Sequence, residues 1–226
     1  PARPSASRQQ AGRKEAAAQA SAEQRVILYD ISWKTYERLL DEMGESRACR
    51  LAYDEGTLEI MSPLIKHEHS NRFLDKLVFV LLEEFEMDCL SAGSLTCKRE
   101  DIKKSFEPDS CYYISNAARV RGKDKLNLAK DPPPDLAIEV DISRSSMNKF
   151  RIYSALNVPE IWMWDGMSLK IAVLKSGDYQ MVKESPLFPG LPLIADIPGF
   201  LKQSDIEGEF PAIREFRKWV RKHRKK

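Results

Sequence analysis

The chain has 226 residues, 42% hydrophobic and 31% charged, the proportions of an ordinary soluble domain with enough length for one substantial α/β core. No apolar run approaches the roughly 20 residues of a membrane span, and the four cysteines (Cys49, Cys89, Cys97, Cys111) have neither the C-x-x-C pairing nor the density of a disulfide scaffold. With no apolar leader at the N-terminus, reduced thiols and a cytoplasmic location are expected, with no membrane partner. The net charge of +2 is unevenly spread. Residues 214–226 carry eight Lys/Arg against one Glu and residues 1–24 four Lys/Arg against two Glu, which leaves residues 25–213 at −7.

Residues 1–24 are rich in Ala, Ser, Gln and Arg, offer almost nothing to bury, and are expected to be disordered. Ser32 is placed to cap a helix whose apolar positions Trp33, Tyr36, Leu39, Leu40 and Met43 recur at helical spacing, with Gly44 as its stop. Arg50–Tyr53 and Thr57–Met61 flank Asp54-Glu55-Gly56 and predict a hairpin ended by Pro63. From about Lys66 to Glu86 the stripe Phe73, Leu74, Leu77, Val78, Leu81, Leu82 and Phe85 predicts a long amphipathic helix. Leu95–Lys98 and Ser110–Ile114 read as strands joined by a polar connection. Leu136–Val140, after Asp131-Pro132-Pro133-Pro134, is short and apolar enough for a central strand. A helix is expected from Ser145 or Ser146 through Leu156, then a strand over Glu160–Trp164 and a hairpin of Lys170–Leu174 with Tyr179–Lys183. This order predicts a mixed α/β fold in one domain over 25–205. Residues 206–226 are a basic, helical tail, with Ile213, Phe216, Trp219 and Val220 at helical spacing between cations.

Two acids stand where acids are expensive. Glu139 lies inside the run Leu136-Ala137-Ile138-Glu139-Val140, and a carboxylate in a buried strand must pair, bind a cation or take up a proton. Asp109 follows Pro108 and opens the strand Ser110–Ile114. If the two strands are neighbours, both carboxylates converge on one divalent ion, for which oxygen ligands suit Mg²⁺. The structural alternatives are a strand-end cap for Asp109 and a salt-bridged core acid for Glu139. Lys149 shares the stripe of Ile152, Tyr153 and Leu156, so it would point back toward Glu139. Strand acid, turn and helix-borne lysine can hold a metal and an ammonium around one phosphate, or can form a structural ion pair. His67 and His69, two apart at a helix start, do not face the same way and read as surface or capping residues. Trp162 and Trp164 read as strand packing.

Glu107-Pro108-Asp109, Pro134-Asp135-Leu136-Ala137-Ile138-Glu139-Val140, Asn148-Lys149 and Ile152–Trp162, with Glu59–Pro63 and Glu68-His69 ahead of them, are together similar to a large bacterial family of restriction-endonuclease-like proteins. That family is especially abundant in cyanobacteria and belongs to the PD-(D/E)XK superfamily. The resemblance implies a restriction-endonuclease-like core: a helix, a three-stranded antiparallel meander, a crossover helix and a further strand, with a mixed sheet flanked by helices. It implies a metal-dependent endonuclease that hydrolyses phosphodiester bonds, with DNA the expected substrate. Asp109 and Glu139 would be the metal carboxylates, the Val140 carbonyl a further ligand, and Mg²⁺ the ion, with Mn²⁺ able to replace it. Lys149 and Glu68 complete the implied catalytic set, Glu59 and His69 competing with Glu68. The simplest form of the motif has its lysine two residues after the acid, where this chain has Asp141; members of the family carry it on the next helix, matching Lys149. An inactive nuclease-like domain that binds nucleic acid or a protein is the alternative. Because the body is acidic, Arg217, Lys218, Arg221 and Lys222 are the expected nucleic-acid contacts. Assembly as a homodimer is a further expectation.

Overall fold

The computed structural model describes residues 24–44, 47–141 and 147–224, so the expectations for residues 1–23 and for a helix start at Ser145 or Ser146 lie outside the described residues. Strand β1 (Gln24–Leu28) leads into helix α1 (Trp33–Met43). Ser32 caps α1, its hydroxyl accepting from the Thr35 N–H, and Gly44 ends it at φ 68°. Strands β2 (Arg50–Asp54) and β3 (Thr57–Ser62) form the expected hairpin. Its two-residue turn has Glu55 and Gly56 at φ 46° and 104°, the mirror-image turn that matches strand twist. Trp33 and Tyr36 of α1 pack on Leu51, Tyr53 and Leu58 of this hairpin, with Tyr36 stacked on Tyr53 at 4.9 Å.

Helix α2 (Ile65–Glu84) follows, then the two-residue β4 (Leu90–Ser91), β5 (Cys97–Arg99), β6 (Lys104–Phe106) and β7 (Ser110–Tyr113). The connection expected to be polar thus contains a strand, β6, whose three residues are all buried. Helix α3 (Ala117–Val120), β8 (Leu136–Val140), α4 (Lys149–Ala155), β9 (Glu160–Trp164), β10 (Leu169–Lys175), β11 (Asp178–Val182), α5 (Leu193–Glu207) and α6 (Glu209–His223) complete the described chain.

Two sheets result. The first has order β1-β3-β2-β6-β5 and the second β11-β10-β9-β8-β7-β4. In the second, β4, β7 and β8 are antiparallel neighbours, and α4 carries the chain across so that β9 lies parallel to β8. This is the implied core of helix, meander, crossover helix and strand, with β4 in the place expected of Leu95–Lys98, which instead leads into the other sheet. Every residue of β8 is buried, as a central strand covered on both faces requires. Alternation divides it. Leu136, Ile138 and Val140 join α2, α5 and α6 in the larger core, whereas Ala137 faces Ile152 and Tyr153 of α4.

Helix α6 is part of that larger core. Ala212, Phe216 and Val220 are fully buried, and Phe216 packs between Phe200 and Trp219 at 5.0 and 5.5 Å. Gly208, at φ 93°, is a bend between the two packed helices α5 and α6. The apolar stripe legible in the tail is as much a core stripe as that of α2.

Candidate active site

The ladder between β7 and β8 pairs Cys111 with Ala137 and Ser110 with Ile138. One further step places Asp109 across from Glu139. Both are almost wholly buried, at 2% and 5% exposure.

Asp109 is held from three directions. Its Oδ2 accepts from the Val140 N–H at 2.8 Å. Its Oδ1 lies 2.9 Å from His67 Nε2 and 4.0 Å from Arg50 Nε. Asn71, one turn beyond His67, donates to the Asp109 carbonyl at 3.1 Å and accepts from the Ser110 hydroxyl at 3.0 Å. The first two turns of α2 thus fix the start of β7.

Glu139 is held from α4. The Lys149 ammonium donates to Oε2 at 2.5 Å, and the Tyr153 hydroxyl donates to Oε1. Lys149 and Tyr153 are four residues apart, so both reach the same strand acid from one helical face. Burial pushes the Glu139 carboxyl up and the charge of Asp109 adds to it, against the pull of Lys149 and Tyr153. For Lys149 burial works against the charged form, but Glu139, Asp109 and Glu59 outweigh it and its pKa rises. These acids favour the charged ammonium that bonds Glu139. Burial and Glu139 likewise raise the Tyr153 hydroxyl, which keeps it a donor.

The other expected residues fall at the rim or beyond it. Glu68 is a third exposed, 3.5 Å from Arg50 and 3.7 Å from Arg72, so Arg50 stands between it and Asp109. Asp141 pairs with Arg25 at 2.8 Å, and Arg25 also reaches the buried Glu59 at 3.0 Å. An arginine from β1 thus neutralises the acid that stands two residues after Glu139, while the ammonium comes from α4. His69 faces Asp205 at 3.1 Å, away from the two acids. Glu107 and Asp135, the acids flanking the two motifs, are engaged elsewhere, Glu107 by Arg47 and the Thr96 hydroxyl as well as by backbone. Glu107 accepts from the Leu51 N–H, and Asp135 accepts from the N–H groups of Ile114 and Asn116.

Sequence reasoning missed His67, Tyr153 and Arg50. His67 is fully buried, contrary to its reading as a surface or capping residue. The signal was present, since His67, Asn71, Leu74, Val78 and Leu81 continue the buried stripe of α2 at helical spacing. The basic side chains of α6 are partly engaged elsewhere. Arg217 bonds Glu83 and Glu84 at 2.6 and 3.0 Å, Arg221 bonds Glu84 at 3.0 Å and Lys218 bonds Glu215 at 2.8 Å. Lys218 and Lys222 remain exposed. Glu84 is 16 residues along α2 from Glu68, about 24 Å at 1.5 Å per residue, so this cluster and the buried acids lie at opposite ends of one helix.

Among the described residues no group of three His, Cys, Asp or Glu side chains is arranged to hold a metal ion. The oxygens of Asp109 and Glu139 are the kind of donor that Mg²⁺ takes, commonly one or two carboxylates with the remaining positions left to water and substrate phosphate. Two facing, buried carboxylates, one raising the pKa of the other, form a like-charge pair that a divalent cation would relieve. The donor set fits.

The chain thus has an α/β fold whose mixed sheet, with its crossover helix, brings two buried acids and a lysine together. The chain belongs to the Uma2 family, described as "putative restriction endonuclease", whose family model matches residues 33–200. No curated protein matches it at a significant level. Among solved structures it is similar to a protein of Anabaena variabilis described as a putative nuclease belonging to DUF820, at 15% identity and a TM-score of 0.47, covering 72% of this chain and 90% of that one. No described helix is long and apolar enough to cross a membrane. All four cysteines are free, Cys97 and Cys111 being buried.

Proposed function

We propose that the protein is a metal-dependent nuclease that hydrolyses phosphodiester bonds, with DNA as substrate and Asp109, Glu139 and Lys149 as its centre. The observation that carries this reading is the strand register that sets Asp109 opposite Glu139, with the Lys149 ammonium on Glu139. Two buried acids beside each other are costly for folding alone, and a buried acid raised as Glu139 is is the kind of group that gathers at functional sites. Asp109 and Glu139, with the Val140 carbonyl, would hold Mg²⁺ or Mn²⁺. Bound there, the ion supplies Lewis acidity toward a phosphate oxygen and an attacking water.

The chain's own residues do the rest. His67 and the Val140 N–H orient the Asp109 carboxylate, and Tyr153 orients that of Glu139. Lys149, permanently charged, neutralises the charge developing on the phosphate and orients the water. Arg50 and Glu68 stand at the rim, where the guanidinium meets an approaching phosphate. The test is an assay on supercoiled and single-stranded DNA and on RNA, with Mg²⁺, Mn²⁺ or chelator. Metal-dependent cutting of DNA supports the reading. Absence of cutting under every condition, with the protein folded, defeats it.

One observation favours a second reading. The oxygens of Glu139 already accept from Lys149 and Tyr153, as in a structural ion pair, and a domain that binds nucleic acid or protein without cutting would keep such a pair. Calorimetric titration with Mn²⁺ separates the two: binding lost in Asp109→Asn favours the nuclease, and no binding by the native chain favours the second reading.

A further inference from the structure

We infer that this site acts on unpaired nucleotides, taking an unstacked base into a cavity beside Lys149; the inference rests on the nuclease reading above. A cavity of about 310 Å³ opens against Glu139 and Lys149. It lies at the carboxyl ends of the parallel strands β8 and β9, where ligands of such sheets characteristically bind. There the Asp141 N–H donates to the Trp164 carbonyl at 2.8 Å, and beyond that bond Asp165 turns the chain back toward Ser168.

The walls are mainly apolar, formed by Phe150, Met163 and Trp164 among others, and the polar groups include Asn148 and Asp165. This is the composition of a small-molecule site. Its volume stands at the lower end of the range of about 300–1,000 Å³ for such sites, enough for one nucleoside but not for a duplex. The Phe150 ring, 5.1 Å from Tyr179, is held in place and offers a flat base an aromatic surface.

The chemistry of the cavity selects a base over a phosphate. Three acids, Glu139, Asp141 and Asp165, line it against two lysines, Lys149 and Lys170, and Lys170 lies 3.5 Å from Asp165, so the wall has no surplus of positive charge to offer a phosphate. Asp165 is fixed by the Met167 and Ser168 N–H groups and the Ser168 hydroxyl, and a carboxylate so fixed can accept from the N–H edge of an unpaired base, thymine N3–H included. Asn148 offers both a donor and an acceptor. Of the two lysines in the wall, Lys149 belongs equally to the acid pair, so a phosphate engaged there has the base of its own nucleotide at the cavity mouth. In a duplex that base is stacked and paired, and reaching the cavity requires extrusion at a cost that a single strand does not carry.

The experiment uses the full chain in chelator, which permits binding without cleavage, and reads fluorescence anisotropy with three labelled probes of about 12 nucleotides. These are a thymidine strand, its duplex with deoxyadenosine, and a strand with the same phosphodiester backbone but no bases. Base stacking on aromatic surfaces predicts that the thymidine strand binds at least about tenfold more tightly than either of the others. Met163→Trp, which fills the cavity, should bring the thymidine strand to the affinity of the baseless one and leave the duplex unchanged. Equal binding of all three probes by the native chain overturns the inference and leaves the nuclease reading standing. Binding of none overturns the inference as well, while the nuclease reading stands or falls on the cleavage assay. If Met163→Trp does not fold, the comparison of thymidine with baseless strand on the native chain decides alone.

Discussion

The two ends of helix α2 use charge in opposite ways. At its start, His67 and Asn71 are buried against Asp109, and on the neighbouring strand Glu139 is raised by burial and by Asp109. At its end, Glu84 takes hydrogen bonds from Arg221 and Arg217, and Arg221 holds its carboxyl below the usual range. Arg221 is 64% exposed and Arg217 29%. The second arrangement is a surface latch between α2 and α6 that water would tolerate in other forms. The first gathers acids where they oppose one another, and folding gains nothing from that which apolar residues would not supply better. The difference teaches where to look for chemistry: among charges that are buried in conflict, rather than among those that are numerous.

That contrast can be broken first at Lys149. Lys149→Ala should lower the cleavage rate on the order of 10²- to 10³-fold, as loss of one fixed electrostatic donor does, while Mn²⁺ affinity by calorimetry changes little. Metal affinity lost with the rate preserved would show that its role lies in holding Glu139 for the ion.

Next in size is the anchoring of α6. Phe216→Ala should destabilise the fold by about 3–5 kcal/mol in urea unfolding, since the ring is fully buried between α5 and Trp219. For that reason deleting residues 214–226 opens the core and cannot by itself measure the contribution of the tail to nucleic-acid binding. Lys218→Glu with Lys222→Glu, at exposed positions, is the cleaner probe. If those cations contact phosphate, the salt dependence of binding should flatten by about one log–log unit per contact.

The pH dependence sharpens the contrast further. Metal binding needs Glu139 ionised, and burial and Asp109 raise its pKa in the metal-free chain, so Mn²⁺ affinity by calorimetry should fall with decreasing pH from a point above the ordinary carboxylate range. Tyr153→Phe removes a bond that favours the ionised form, so that fall should begin at higher pH. A fall that stays in place would detach Tyr153 from the acid. The stability counterpart lies at Glu160, which burial raises against the bonds from Ser185 and Trp162. Its folded pKa exceeds the unfolded one, so its contribution is fully present below the unfolded value and is lost as pH rises through the folded value. Glu160→Gln should therefore gain stability over the native chain between acidic and neutral pH, in denaturant titrations across that window. The smallest effect belongs to the latch: Arg217→Ala or Arg221→Ala should cost about 0–1 kcal/mol in the same unfolding assay.

Much of this architecture was legible because local rules and the global fold agree. Ser32, Gly44 and the turn at Glu55-Gly56 announce α1 and the first hairpin, and the one acid in an otherwise apolar strand announces Glu139. What escaped has physical reasons. Strand β4 is two residues long, too short for any alternation to register. Strand β6, Lys104-Ser105-Phe106, buries a lysine that pairs with Asp54 and so reads as polar. Strand β1 is an edge strand whose residues alternate between exposed and half-buried, with no apolar face to give it away. Helix α5 contains Pro198 and Gly199, normally breakers, and persists because Leu193, Ile197 and Leu201 are buried on its inner face. Arg25 and Arg50 could not be placed from sequence, because their partners Asp141, Glu59 and Asp109 come from distant segments. Pairing across sheets leaves no periodic trace.

The account stands most directly on a side-by-side assay of the native chain and Glu139→Gln, with DNA in Mg²⁺, once circular dichroism has shown both to be folded. The amide keeps the shape of the carboxylate and lacks its charge. The account predicts cutting by the native chain, none in chelator, and none by the variant. Undiminished cutting by Glu139→Gln, or by the native chain in chelator, would contradict it.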